Sequence, residues 1–215
     1  MRFAVLGSGS QGNGTLIASG DTFILVDCGF SLRETERRLA LLGVSAAQLS
    51  AVLVTHEHAD HVHGVGLLSR RYNVPVYLSQ GTLRGMRKPV EVAGFLACGQ
   101  SLRIGSLEVT AARVEHDAYE PLQYVVSDGQ RRFGMLTDLG SYDALLLERY
   151  QGLDALLIEA NHCRDLLARG HYPAFLKQRV GGMQGHLNNH QAARLVHELG
   201  WSNLQHLVLA HLSSK

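Results

Sequence analysis

From Val52 to His61 the chain reads Val-Leu-Val-Thr-His-Glu-His-Ala-Asp-His, placing three histidines and an aspartate within six positions. Imidazoles and carboxylates are the donors that hold divalent ions such as zinc, manganese or iron, and the residue types alone do not choose among those three. An apolar run, Ala51–Thr55, leads into His56. His56, His58, Asp60 and His61 converge only if the segment leaves a strand as a loop and tightens into a helix start near Asp60. That path turns His56 and His58 to one side and brings Asp60 and His61 to a second position, close to the ~4 Å spacing of two-metal hydrolases. The zinc-protease pattern H-E-x-x-H fails here, because the residue four after His56 is Asp60.

The elements that must carry this cluster are legible around it. A chain of 215 residues with 46% apolar content has room for one sizeable core, and a single domain spanning 1–215 is expected. Short β-runs at Phe3–Leu6, Thr15–Ala18 and Phe23–Val26 are separated by glycine turns, the last two joined around Gly20-Asp21. Ser31 with Glu34 three residues on predicts a capping-box helix that runs to Leu42 and stops at Gly43. The cluster's own strand follows, then a helix near Val65–Tyr72 and a strand at Pro75–Leu78. Three β-runs come next, Leu107–Val114, Gln123–Ser127 and Arg132–Leu136, the last pair joined by the hairpin turn Asp128-Gly129. The final third alternates: helix Tyr142–Tyr150, strand Ala155–Glu159, helix Asn188–Leu199, strand Leu204–Ala210. Helices covering a largely β core follow from that order.

Composition excludes several classes. Twenty Lys and Arg against nineteen Asp and Glu give a net charge of +1, so no general basic signature of a nucleic-acid binder is present and any phosphate-binding surface is local. Cys28, Cys98 and Cys163 are odd in number and never form C-x-x-C, which speaks against a disulfide framework and a thiolate zinc site and for a reducing cytoplasm. No apolar run approaches membrane-spanning length and the N-terminus lacks a signal-peptide core, so a soluble, unexported protein is expected. The stretch Gly7-Ser8-Gly9-Ser10-Gln11-Gly12 matches G-x-G-x-x-G, with Asp27 where a ribose-binding acid would stand. It runs directly into a β-type segment, however, and the fingerprint requires a helix, so a nucleotide cofactor is not expected and a tight turn between strands is. A rim of backbone N–H groups meeting a substrate phosphate is the functional variant of that turn.

His56-Glu57-His58-Ala59-Asp60-His61 resembles the H-x-H-x-D-H motif of the metallo-β-lactamase-fold hydrolases, and the resemblance continues in order along the chain. It implies a four-layer αββα sandwich, two mixed sheets flanked by helices. It further implies that Asp27 orients a ligand histidine, that His116 completes one ion's site with His56 and His58, that Asp138 bridges, and that His211 joins Asp60 and His61 on a second ion. The opening Gly7–Asn13 stretch, His116-Asp117-Ala118-Tyr119-Glu120-Pro121, Leu157–His162, Gly185-His186-Leu187-Asn188-Asn189 and Ala210-His211-Leu212-Ser213 resemble the YycJ (WalJ) family of bacterial metallo-hydrolases. Similarity to that family implies a 5′-to-3′ exodeoxyribonuclease acting on double-stranded DNA. The chain departs from the family pattern at Asn188, where serine is usual, and at Cys163, where aspartate often stands. It also stops at Ser213-Ser214-Lys215 where relatives continue, as a truncated chain or a member without a substrate-binding tail would.

The chemistry that follows is hydrolysis: a hydroxide shared by two ions, aimed by Asp60 and Asp138, attacks phosphorus while the ions neutralise charge on the phosphoryl oxygens. The departing alkoxide needs a proton, and a histidine paired to a carboxylate supplies one near neutral pH, which assigns His186 as the acid and Glu159 as its orienting partner. Packing at the start of helix Asn188–Leu199 is the structural alternative for His186, and that helix start is itself a phosphate-site candidate. His63, His162, His171, His190, His197 and His206 are read as structural or solvent-facing. Arg70-Arg71, Arg87-Lys88, Arg131-Arg132, Lys177 and Arg179 are read first as solvated surface and second as a DNA track. Two other functions remain open: a small-molecule hydrolase, either a thioesterase or a cyclic-nucleotide phosphodiesterase, and a metal-bound DNA-binding module in repair or cell-envelope regulation. An oligomeric state is not specified by these residues.

Overall fold

The computed structural model describes residues 1–200 and 202–213; Ser214 and Lys215, at the end of the chain, lie outside the described residues. One six-stranded sheet runs in sequence order through β1 (Arg2–Gly7), β2 (Gly14–Ser19), β3 (Thr22–Val26), β4 (Ala51–Leu53), β5 (Val76–Leu78) and β6 (Gly94–Phe95). The second does the same through β7 (Ser101–Ile104), β8 (Leu107–Arg113), β9 (Leu122–Ser127), β10 (Arg132–Leu136), β11 (Ala155–Glu159) and β12 (His206–Ala210). Each sheet begins antiparallel, in short-turn hairpins, and becomes parallel where crossover segments intervene, at β3–β4 and at β10–β11.

Alternation explains why the central strands read as continuous apolar runs: both of their faces are buried, and successive side chains go to different layers. Ala51 and Leu53 of β4, Phe133 and Met135 of β10, and Ala155 and Leu157 of β11 enter the core between the sheets. Their neighbours Val52, Leu136, Leu156 and Ile158 turn the other way. On the first sheet's outer face they meet α1 (Leu32–Leu41) and α3 (Val65–Tyr72), reached through the short α2 (Ala59–Val62). Helix α4 (Gln80–Gly85) follows β5. The second sheet is covered by α5 (Ala144–Arg149) and α8 (Asn189–Leu199), while α6 (Arg164–Arg169) and α7 (Ala174–Val180) lie between β11 and α8 in sequence. The architecture is the expected αββα sandwich.

Several elements differ locally from their sequence signals. Ser31 caps α1 by accepting the Glu34 N–H, but Glu34 does not close the capping box; its carboxylate pairs with Arg37 and Arg38 instead. Helix α5 begins at Ala144 rather than Tyr142 because Asp143 caps it through the Leu146 N–H, and β12 begins at His206 rather than Leu204. The G-x-G-x-x-G stretch is a turn between antiparallel β1 and β2, as expected. Two of its three glycines serve packing: a Cβ on Gly7 or on Gly12, the latter at φ 146°, would lie 2.4 or 2.5 Å from the Phe30 ring. None of the helices among the described residues is long and apolar enough to cross a membrane.

The sheets are stitched together at the end that carries the histidines. Tyr124 of β9, fully buried, donates its hydroxyl to the Val54 carbonyl at 2.7 Å, and the Leu122 N–H donates to the Thr55 carbonyl at 2.9 Å. Tyr124→Phe leaves the Val54 carbonyl unsatisfied in a dry interior and is expected to lower unfolding free energy by about 1–3 kcal/mol. Urea denaturation measures this; an unchanged midpoint would show that the two sheets do not depend on that bond.

Candidate metal centre

Most residues of the cluster sit just past a strand end, while Asp60 and His61 lie on α2 and His186 in the segment before α8. Strand β4 stops at Leu53, and the chain runs through Val54 and Thr55 to His56 before α2 begins at Ala59. Asp27 follows β3, His116 follows β8, Asp138 follows β10, Glu159 closes β11 and His211 follows β12. These ends meet in one cleft. His56, His58 and His116 form one group able to hold an ion; Asp60, His61 and His211 form another, with donor atoms in each group within 4.8 Å of one another. Asp138 stands between them, its Oδ2 3.4 Å from His61 Nε2 and its Oδ1 3.3 Å from His211 Nε2 and 4.0 Å from His116 Nε2.

Two buried carboxylates support the ligands from behind. Asp27 accepts the Thr55 N–H at 2.9 Å and the Thr55 hydroxyl at 2.8 Å, and its Oδ2 lies 2.8 Å from His61 Nδ1. That pairing puts the His61 proton on Nδ1 and leaves Nε2 facing the cleft. His116 is oriented likewise, with Nδ1 3.1 Å from the Gly185 carbonyl. Glu159, fully buried, accepts the backbone N–H groups of Asp138, Leu139 and Leu187 at 3.0, 3.1 and 2.7 Å and pairs with His186 Nδ1 at 3.0 Å. The expected His186–Glu159 contact is present, but Glu159 does more than orient His186: it also fixes the backbone that carries Asp138.

Close approach of main chains makes the first sheet's part of the cleft possible. Cys28 N–H donates to the His61 carbonyl at 2.8 Å, Gly29 N–H to the Asn13 carbonyl at 2.9 Å, and Asn13 N–H to the Asp60 carbonyl at 2.8 Å. A Cβ on Gly29 would fall 1.6 Å from the Asp60 carbonyl oxygen, so only glycine fits.

Polar atoms left without partners point to what the cleft takes. Among the described residues, five buried side-chain atoms lack a hydrogen-bond partner, and three of them, His116 Nε2, Asp138 Oδ2 and His211 Nε2, face this cleft. Buried polar groups in folded proteins generally find partners, and a cation-binding role accounts for these three. The donor set, imidazole and carboxylate without thiolate, fits a divalent metal.

Residues 22–212 match a family model described as beta-lactamase superfamily domain. Alignment pairs 99% of the chain with 83% of exodeoxyribonuclease YycJ of Bacillus anthracis at 33% identity, and 100% with 82% of exodeoxyribonuclease WalJ of Streptococcus pneumoniae at 32%. The chain belongs to the metallo-β-lactamase-fold hydrolases, on their YycJ branch. It is a metal-dependent hydrolase. Among solved structures, YhfI from Bacillus subtilis superposes with a TM-score of 0.74 at 21% identity over 99% of this chain and 87% of its own. Human tRNase Z, short form, does so at 0.72 and 18% over 99% and 92%. These two likenesses show the fold.

Within this YycJ-like protein the motif residues lie close together, and the geometry adds residues that the motif did not assign. Thr55, the last residue before His56, touches Asp27, His56 Nδ1 at 3.0 Å and His61 Nδ1 at 3.2 Å. Asn13 Nδ2 donates to Asp60 Oδ2 at 3.1 Å, and Asn161 Nδ2 donates to the His211 carbonyl at 2.9 Å. Position inside quoted motifs was the available signal for both asparagines; the contacts themselves join residues 47 and 50 positions apart. His186 is also grouped with Asp138 and His211, its ring stacked on His211 at 5.0 Å between centroids. The phosphate-site candidate at the start of α8 is corrected: Asn188 and Gln191 complete a capping box there, so the helix's first N–H groups are already satisfied. Of the six histidines read as structural or solvent-facing, five are exposed and His162 is buried, with Nδ1 3.3 Å from Asn161 Oδ1.

The buried environment splits the histidines electrostatically. Burial pushes His116 down to about 4 and His56 well below its ordinary value, so both are neutral at pH 7. Burial acts on His61 too, but the carboxylates of Asp27 and Asp138 outweigh it and raise that imidazole to about 9. His61 must therefore lose a proton to become a ligand, whereas His56 and His116 need not. Below pH 9 the proton competes, and divalent-metal affinity is expected to rise about tenfold per pH unit between 7 and 8.5 and to level above 9. Competition titrations against a chelating dye give this slope; an affinity independent of pH would contradict the charge assigned to His61.

Proposed function

We propose that the protein is a two-metal-ion phosphodiesterase that degrades double-stranded DNA as a 5′-to-3′ exodeoxyribonuclease. The observation that carries this reading is Asp138 standing between two complete donor groups, in a chain aligned almost end to end with relatives named exodeoxyribonucleases. Duplex substrate and polarity rest on the motif resemblance to the YycJ family. His56, His58 and His116 would hold one ion, Asp60, His61 and His211 the other, with Asp138 shared. Zinc, manganese and iron all suit these donors. The bound ions would supply Lewis acidity, lowering the pKa of water and neutralising charge on the phosphoryl oxygens.

The chain's own groups do the remainder. Asp60, held by Asn13, and Asp138, held by Glu159, orient the attacking oxygen. His186 protonates the departing alkoxide. Burial lowers its proton affinity, but the bond from Glu159 outweighs that and raises it, so the imidazolium persists near neutral pH and Nε2–H remains for the leaving oxygen. The three free cysteines fit a reducing cytoplasm.

Release of labelled nucleotides from linear duplex DNA, carrying 5′-phosphate or 5′-hydroxyl ends, tests the substrate with zinc- and manganese-loaded protein. Metal-dependent release from the 5′ end that vanishes in Asp138→Ala is expected. Absence of release, with turnover of a thioester or of bis-nitrophenyl phosphate, would exclude DNA and keep the hydrolase. His186→Ala is expected to cost roughly 10²–10⁴-fold in kcat on DNA, whose alkoxide leaves poorly, and little on bis-nitrophenyl phosphate, whose nitrophenolate needs no proton. Equal losses on both substrates would make His186 a ligand or a structural residue rather than the acid.

A further inference from the structure

Helices α6 and α7 bury no side chain. Most helices in a folded domain are held by an apolar face turned to the core, so this pair contributes nothing to the core and its surface residues are free of that constraint. The segment nevertheless sits at the site, between Glu159 and His186, and its last residues are tied to the cleft's rim. Asp117 N–H donates to the Gln184 carbonyl at 3.0 Å, Ser141 donates its hydroxyl to the Met183 carbonyl at 3.0 Å, and the Gly185 carbonyl faces His116.

One ion pair links the flap to the ligands. Arg179 Nε donates to Asp117 Oδ2 at 2.5 Å, and the other oxygen of that carboxylate lies 3.3 Å from His116 Nε2 and 3.8 Å from His58 Nε2. A single carboxylate thus separates the donor atoms of the first group from a guanidinium that is 60% exposed. Asp117 engages one N–H of Arg179, and a guanidinium carries four more in a fixed fork suited to phosphate. Phe175 precedes Arg179 by one helical turn, shares its face and is 72% exposed.

Charge is segregated in the same place. Residues 164–181 hold Arg164, Arg169, Lys177 and Arg179 against Asp165 alone, four cations to one acid, while the whole chain has a net charge of only +1. Apolar exposure gathers there too: of the five most exposed large apolar side chains among the described residues, Met183, Tyr119, Phe175 and Leu166 lie on the flap or in the loop it contacts. Cations interleaved with exposed aromatic side chains match the unpaired end of the strand being cut, with a charge for each phosphate and a flat apolar ring for the freed base beside it.

We infer that the α6–α7 flap is the docking surface for the DNA strand, with Arg179, held by Asp117, taking the phosphate next to the one being cleaved and Phe175 stacking on the adjoining base. This rests on the DNA reading proposed above. It takes up the DNA-track reading of Arg179, whose exposed side chain is tied to the cleft by Asp117.

Binding of a phosphorothioate-protected duplex to the metal-loaded protein, followed by fluorescence anisotropy across a salt series, tests it. Arg179→Gln is expected to weaken binding and to reduce the slope of log affinity against log salt by about 0.9, one phosphate contact. Phe175→Ala is expected to weaken binding roughly tenfold with the slope unchanged, and Phe175→Trp to restore it. Arg103→Gln, on β7 at the opposite edge of the second sheet, controls for net charge and is expected to change neither. Circular dichroism and metal content verify that each variant is folded and loaded. Wild-type-like binding and slope in both Arg179→Gln and Phe175→Ala, with the unaltered protein binding the duplex, overturns the flap assignment and leaves the DNA reading standing. Failure of the unaltered protein to bind the duplex or release nucleotides from unprotected DNA overturns both.

Discussion

Two carboxylates that water cannot reach organise the cleft, Asp27 from the first sheet and Glu159 from the second. A buried carboxylate is costly unless protein donors replace its hydration, and the donors these two recruit belong to the segments that carry the ligands. Asp27 draws in Thr55 and His61; Glu159 draws in Asp138, Leu139, His186 and Leu187. Strand register sets this up. Val26 pairs with Leu53 in the parallel β3–β4 ladder, which places Asp27 beside the chain leaving β4, and Glu159 pairs with Ala210, which places His211 next to it. Each sheet thus delivers one anion and the ligands that the anion positions, and the stitching through Tyr124 holds the two deliveries in register.

Backbone conformation carries part of the cost. Four non-glycine residues among those described have positive φ, and three of them are Asp27 at 61°, Asp138 at 56° and His211 at 50°. Aspartate tolerates the left-handed region better than most residues, and histidine is enriched there as well, yet each such residue costs roughly 1–2 kcal/mol against a right-handed one. All three stand just past a strand end, where the turn swings the side chain out of the strand's alternation and into the cleft between sheets. The hydrogen bonds from Asp138 N–H to Glu159 and from His211 N–H to the Ser8 hydroxyl, 2.7 Å long, offset that strain. Strain concentrated at one site and held there by the surrounding fold is what preorganised ligands require.

Much of this was legible in the residues, for identifiable reasons. Apolar runs ending in a histidine or an acid mark buried strands that present a side chain at the sheet edge, so Ala51–Thr55 before His56 and Ala155–Glu159 located both the core and the cleft. What the sequence left out depends on contacts between distant segments. Asn13 meets Asp60 across 47 positions and Thr55 serves two histidines and an aspartate; no periodicity reports such encounters. The capping box at Ser31 failed because Glu34 found better partners in Arg37 and Arg38, a competition that spacing alone does not resolve. Helices α6 and α7 left no amphipathic signature because they bury nothing, so that segment was the least visible to pattern reading.

Two donor groups meet at Asp138, and metal stoichiometry tests directly whether both hold an ion. Elemental analysis of the dialysed, reconstituted protein is expected to find close to two divalent ions per chain. A single ion per chain under saturating metal would contradict it, reducing Asp138 from a shared ligand to an ordinary one and leaving half of the cleft's donors without a role in binding metal.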